Sequence, residues 1–174
     1  MNEEIKKRKE LRLKQYDYSS AGAYFVTICI KDRKQILSNI VKPVGVGALD
    51  DPKIALTNIG EIVEKNLISN SNISGVTIDA YVIMPDHIHF IIILDPEKYK
   101  IYNKGSSRAP TPTNAMLPHI VSTFKRFCAR DMGFNPFQRG YMEHIIRSEG
   151  DYEKRIRYIY ENPIRWYYKK MNDE

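Results

Sequence analysis

The chain is poor in features that would place it outside the ordinary soluble proteins. It has only two cysteines, Cys29 and Cys128, both set in apolar surroundings. Two buried thiols fit that pattern, and it excludes a disulfide scaffold or a closed thiolate zinc site. No apolar run approaches the ~20 residues needed to span a bilayer, so no membrane partner is expected. The first fifteen residues, MNEEIKKRKELRLKQ, form a basic, mixed-charge arm without the apolar core of a signal peptide, so a cytoplasmic protein is expected. No internal repeat and no second domain are visible. Residues 1–174 suit a single domain, at 43% hydrophobic and 28% charged residues.

What the chain does have is positive charge and tyrosine. The net charge is +6 and the pI about 9.2, which favours a polyanionic partner. Twelve tyrosines are many for this length, so a chemically active one has to be found by position.

The segment around which the rest is organised is AYVIMPDHIHFIIIL, residues 80–94. Two β-branched, aromatic runs flank Pro85 and Asp86, a pair suited to a tight turn, and predict a hairpin of strands 76–84 and 87–94. His87 and His89 share one strand face, opposite Ile88 and Phe90. Two imidazoles held on a rigid strand are half of a metal site, or else two hydrogen-bonded histidines; the pair alone does not choose.

Elsewhere the pattern predicts a strand over Tyr24–Ile30 and a helix from Thr57 or Asn58, with Glu61 at capping-box spacing from Asn58. Ile59, Ile62, Val63 and Leu67 give that helix an apolar stripe. Residues 42–52 read as a loop or a sheet-edge excursion, and 95–118 as a long polar loop. A second helix is expected from about Pro118 to Met132, stopped by Gly133, with Ser122, Lys125, Arg126 and Arg130 exposed. A strand over Met142–Ile146 follows. A final helix is then expected to open at Ser148–Asp151 and to end near Asn162, before Pro163. The order β-α-β-β-α-β-α predicts an α+β fold: a ferredoxin-like antiparallel sheet with helices on one face and an additional C-terminal helix.

The last helix separates its tyrosines. At ~100° per residue, Tyr152, Ile156 and Ile159 form one apolar face with Tyr160 at its edge, a packing position. Tyr158 lies in a polar stripe with Asp151, Lys154, Arg155 and Asn162. Asn162, one turn beyond Tyr158, either caps the helix or offers a carboxamide oxygen to a hard divalent cation. In a ferredoxin-like fold this helix would dock Ile156 and Ile159 against Ile91 and Ile93 on the free sheet face, bringing Tyr158 and Asn162 to the histidines.

With these residues in hand the sequence resembles the REP-associated tyrosine transposases, part of the single-tyrosine HUH transposase superfamily. The matching segments are YDYSSAGAYFVTICIKDR (16–33), YVIMPDHIHFII (81–92), LPHIVSTFKRF (117–127) and FQRGYMEHIIRSEGDYEKRIRYIYENPIRW (137–166), in the family's order over most of the chain. Asp86 stands where the family more often has Asn, and Phe137 where Trp usually precedes Gln. The resemblance implies His87 and His89 as metal ligands, Asn162 as the candidate third ligand and Tyr158 as the catalytic nucleophile. It implies single-stranded, hairpin-containing DNA as substrate, and a 5′-phosphotyrosine intermediate with a free 3′-OH. Mg²⁺ or Mn²⁺ suits such ligands better than zinc. Lys125, Arg126, Arg130, Arg139 and Arg147 are candidate phosphate contacts, with Arg155 beside Tyr158, and His144 is expected to be a packing residue. Superfamily relatives include dimers with shared active sites, which leaves a homodimer open. Two other readings remain: a non-catalytic nucleic-acid-binding protein on the same fold, and a metal-dependent nuclease in which water attacks.

Overall fold

A computed structural model describes residues 21–41, 51–99 and 116–173. The basic arm, most of the 42–52 loop and residues 100–115 of the long polar loop lie outside them. The described residues form six strands and three α-helices: β1 (Gly22–Cys29), β2 (Ser38–Val41), β3 (Lys53–Leu56), α1 (Asn58–Ser69), β4 (Val76–Ile83), β5 (His87–Leu94), α2 (Met116–Met132), β6 (Met142–Ile146) and α3 (Glu149–Asp173).

The main sheet has the strand order β4-β5-β1-β6, all antiparallel, which is the expected ferredoxin-like arrangement. Alternation along the two central strands divides the core. Tyr24, Val26 and Ile28 of β1 join Ile88, Phe90 and Ile92 of β5 against Val63 and Leu67 of α1 and Leu117, Ile120, Val121 and Phe124 of α2. The opposite face carries Phe25, Val82, Met84 and Ile91, and there Ile159 of α3 is buried with Ile156 and Trp166 packed around it. The last helix thus docks on the face that carries the histidines, as the sequence suggested. Ile93 contributes less than expected, being 38% exposed.

The hairpin closes through Pro85 and Asp86, where the Met84 N–H donates to the His87 carbonyl at 2.9 Å. A register shift at Asp79 interrupts β4 and reverses its alternation. Val76 and Ile78 therefore face the same side as Tyr81 and Ile83. The displaced Asp79 carboxylate accepts the Tyr152 hydroxyl of α3.

Four local expectations change. The cap of α1 is Thr57, whose Oγ1 accepts the Gly60 N–H at 3.1 Å, and Asn58 with Glu61 does not form the box. Gly60 is required there because a Cβ would lie 2.0 Å from the Leu37 carbonyl oxygen. Second, β2 and β3 form a two-stranded sheet that the short polar-flanked runs did not announce, and Ile40 and Ile54 pack beside α3. Third, α3 does not end at Asn162 but runs through Pro163 for 25 residues. An interior proline forfeits one backbone hydrogen bond at a cost of about 3 kcal/mol. Trp166 packs against the sheet beyond it, which counters that local cost, and the exposed Arg165–Glu161 pair (2.6 Å) spans it. Fourth, Tyr160 is not a packing residue; it is 70% exposed. The Ser148 start of α3 holds, with Oγ accepting the Asp151 N–H at 3.2 Å.

Candidate active site

The β5 register puts His87 opposite Cys29 and His89 opposite Thr27 of β1, so one face of the central strand pair presents two imidazoles, a hydroxyl and a thiol. Above them α3 brings Tyr158, Asn162 and Trp166. Together with Arg33, Met142, Arg165 and Lys169 these residues line a cleft of about 310 Å³. The two ring centroids of the histidines are 4.5 Å apart. The Tyr158 ring meets that of His89 edge-on at 5.1 Å, Phe25 stacks on His89 at 5.2 Å, and the Phe25 and Tyr158 rings meet edge-on at 5.9 Å. Tyr158 remains 38% exposed, whereas Asn162 is 7% exposed. The structure therefore gathers His87, His89, Tyr158 and Asn162, four residues drawn from two distant segments.

Each imidazole is anchored through Nδ1. His87 Nδ1–H donates to the buried Asp86 carboxylate, which leaves Nε2 as the lone-pair nitrogen. His89 Nδ1 is hydrogen-bonded to Thr27 Oγ1 at 2.8 Å, and its Nε2 is buried without a hydrogen-bond partner among the described residues. An unpartnered buried polar nitrogen costs about 1–3 kcal/mol, a penalty that a ligand relieves. Burial holds His89 neutral, with its pKa pushed down to about 3 and the neighbouring His87 and Arg33 charges adding to the effect. Burial lowers His87 as well, against the opposing pull of Asp86.

Neutral imidazoles with free Nε2 atoms are the form that ligates a cation. Among the described residues no three His, Cys, Asp or Glu side chains gather into a metal-binding group. His87 and His89, with the Asn162 carboxamide in the same cleft, are the residues that could hold a cation there.

The basic residues divide. Arg126 and Arg130 are exposed on α2, their guanidinium groups over the half-exposed Phe127 ring at 5.4 and 4.9 Å, and Arg130 also pairs with Asp131 at 2.8 Å. Lys125 instead donates to the Gln138 and Gly140 carbonyls at 2.9 and 2.7 Å, tying α2 to the segment before β6. Burial lowers its pKa to about 8. Arg139 borders a groove with Ser122 and Tyr141, and Arg147 is exposed. Arg155 lies over the Phe25 ring at 5.5 Å with Nε 3.3 Å from Asp151, whose other oxygen meets His144 Nε2 at 2.7 Å. His144 thus belongs to a charged cluster at the start of α3 and not to the apolar core.

Sequence reasoning missed Thr27, Arg33, Trp166, Arg165 and Lys169. The alternation Phe25-x-Thr27-x-Cys29 was a legible signal for the first. The last three lie beyond the proline at which the helix was expected to stop.

No family model matches the chain. An uncharacterised protein of Haemophilus influenzae is 34% identical over 177 residues, covering 95% of this chain and 93% of that protein. A second protein of that organism, named as a candidate REP-associated tyrosine transposase, is 27% identical over 89% of this chain and 77% of its own length. A solved structure of a REP-associated tyrosine transposase bound to a REP hairpin shares the fold, with a TM-score of 0.59 and 21% identity over 91% of this chain and 74% of that one. Over nearly its whole length the chain is similar in sequence and in fold to the REP-associated tyrosine transposases.

Proposed function

We propose that this protein cuts and rejoins single-stranded DNA beside a hairpin, with Tyr158 as the nucleophile and with Mg²⁺ or Mn²⁺ held by His87, His89 and Asn162. Similarity to transposases supports a DNA-processing enzyme. The observation that carries the finer reading is the 5.1 Å approach of the Tyr158 ring to His89 in one cleft. In the reaction the Tyr158 hydroxyl oxygen bonds to phosphorus and the 3′-oxygen leaves with its electron pair, taking up a proton as the phenol loses one. A 5′-phosphotyrosine and a free 3′-OH result. One phosphate ester replaces another, so the reverse attack by a 3′-OH rejoins a strand without further energy input.

A phenol is a weak nucleophile at neutral pH, so the site has to favour the charge that develops on phosphate oxygens. A divalent cation bound there supplies Lewis-acid polarisation of the phosphate. The chain's own part is orientation: Asp86 and Thr27 fix the two imidazoles, and burial of Ile159 fixes α3 and hence Tyr158. Arg126 and Arg130 with Phe127 offer a cationic, aromatic surface suited to an unpaired strand.

The test is incubation with labelled hairpin oligonucleotides and Mg²⁺ or Mn²⁺. A denaturation-resistant protein–DNA adduct is expected, lost in Tyr158→Phe and in His87→Ala. Cleavage that persists in Tyr158→Phe would mean that water attacks. Binding without any adduct would mean a non-catalytic protein.

A further inference from the structure

Arg33 has no part in the chemistry above, yet it lines the cleft with His87, His89, Tyr158 and Asn162. The backbone that carries it is strained twice in succession. Asp32 and Arg33 have φ of 55° and 54°, a left-handed conformation that is strained for a non-glycine residue.

Neighbouring segments hold that strain in place. The Ile30 N–H donates to the Asp86 carbonyl at 2.9 Å, and the Lys31 N–H to the Pro136 carbonyl at 2.8 Å. The Arg33 N–H closes the turn on the Ile30 carbonyl at 3.2 Å. The result is a guanidinium anchored at its base and open at its tip. Nε lies 3.3 Å from Asp86 Oδ2, and Nη1 donates to Cys29 Sγ at 3.3 Å. A guanidinium has five N–H donors, and Nη2 has no protein partner among the described residues. The side chain is 56% exposed while the Asp86 carboxylate it leans on is 6% exposed. Neutralising Asp86 accounts for the Nε contact. It does not account for free donors held at the mouth of the cleft by a strained turn.

We propose that Arg33 binds the scissile phosphate, its free guanidinium donors reaching the non-bridging oxygens and stabilising the charge that develops there as Tyr158 attacks. This rests on the reading of Tyr158 as the nucleophile.

The experiment measures single-turnover adduct formation and, in a Tyr158→Phe background that does not form the adduct, the salt dependence of oligonucleotide binding without added metal. Arg33→Ala is expected to slow adduct formation about 100-fold. It should also reduce the slope of log affinity against log salt by about 0.7, one phosphate contact on a single strand. Arg33→Lys keeps a cation against Asp86, guarding against a mere folding defect, and should recover only part of the rate. An unchanged rate of adduct formation or an unchanged salt slope in Arg33→Ala overturns the inference while the tyrosine reading stands. Absence of an adduct with the wild-type protein overturns both.

Discussion

At the scale of single residues, the site depends on side chains whose own chemistry is modest. Thr27 is one such residue. Its hydroxyl sits 2.8 Å from His89 Nδ1 and, with Nδ1 as the donor, leaves Nε2 a lone pair for a cation. Thr27→Val keeps the shape and removes that partner, so Mn²⁺ affinity, read by calorimetry, should fall about 10- to 100-fold. Equal affinity in the variant would show that packing alone orients the ring. Asp86 shows how a residue can be visible without its role being visible. The sequence places it next to His87, where the resembled family more often has Asn. Only the fold shows that the charge is buried, accepts the His87 Nδ1–H and is shared with Arg33 from the end of another strand.

At the scale of elements, the strands were the readable part and the last helix the instructive one. Alternation in 87–94 predicted which side chains meet α1 and α2 and which face α3, because pleating leaves no other choice. The asymmetry of α3 separated Tyr158 from Tyr152 for the same kind of reason. Its length was misjudged because the cost of Pro163 is local, whereas the packing of Trp166 that offsets it is tertiary. Tyr160 was misplaced because nothing in the helix itself says how wide its buried face is. Since Ile159 is the buried anchor of this helix, Ile159→Ala should cost about 2–5 kcal/mol, measurable as a lower urea midpoint. A loss below about 1 kcal/mol would mean that α3 is held by its polar contacts, such as Tyr152 with Asp79, more than by its apolar face.

For the molecule as a whole, the buried imidazoles link stability to pH. His89 is held neutral to about pH 3 when folded, while an unfolded histidine takes up its proton near pH 6.5. The unfolded state then binds more protons between these values, so stability falls as the pH drops through that window, by up to about 1.4 kcal/mol per unit for this group. His87 pulls in the same direction. Asp151, held below the ordinary carboxylate range chiefly by its hydrogen bond from His144, also loses stabilisation on acidification. Urea unfolding at pH 7, 5.5 and 4.5 should show a falling midpoint, flattened in His89→Gln. An unchanged midpoint across the series would mean that the rings are hydrated in solution. None of the described helices is long and apolar enough to cross a membrane, consistent with the apolar runs of the sequence.

The sequence by itself determined the strand faces, the helix asymmetry and the charge of the molecule, and its family resemblance pointed to four candidate catalytic residues. Local periodicity and residue chemistry do not depend on the rest of the fold. The tertiary structure decided what those residues meet. Residues 62 and more positions apart in the chain have no local signal for contact, so the pairing of His89 with Thr27 and the approach of Tyr158 to His89 come from sheet register and helix docking. So does the strained turn that carries Arg33 to the same cleft, held by hydrogen bonds from segments that only the fold brings together.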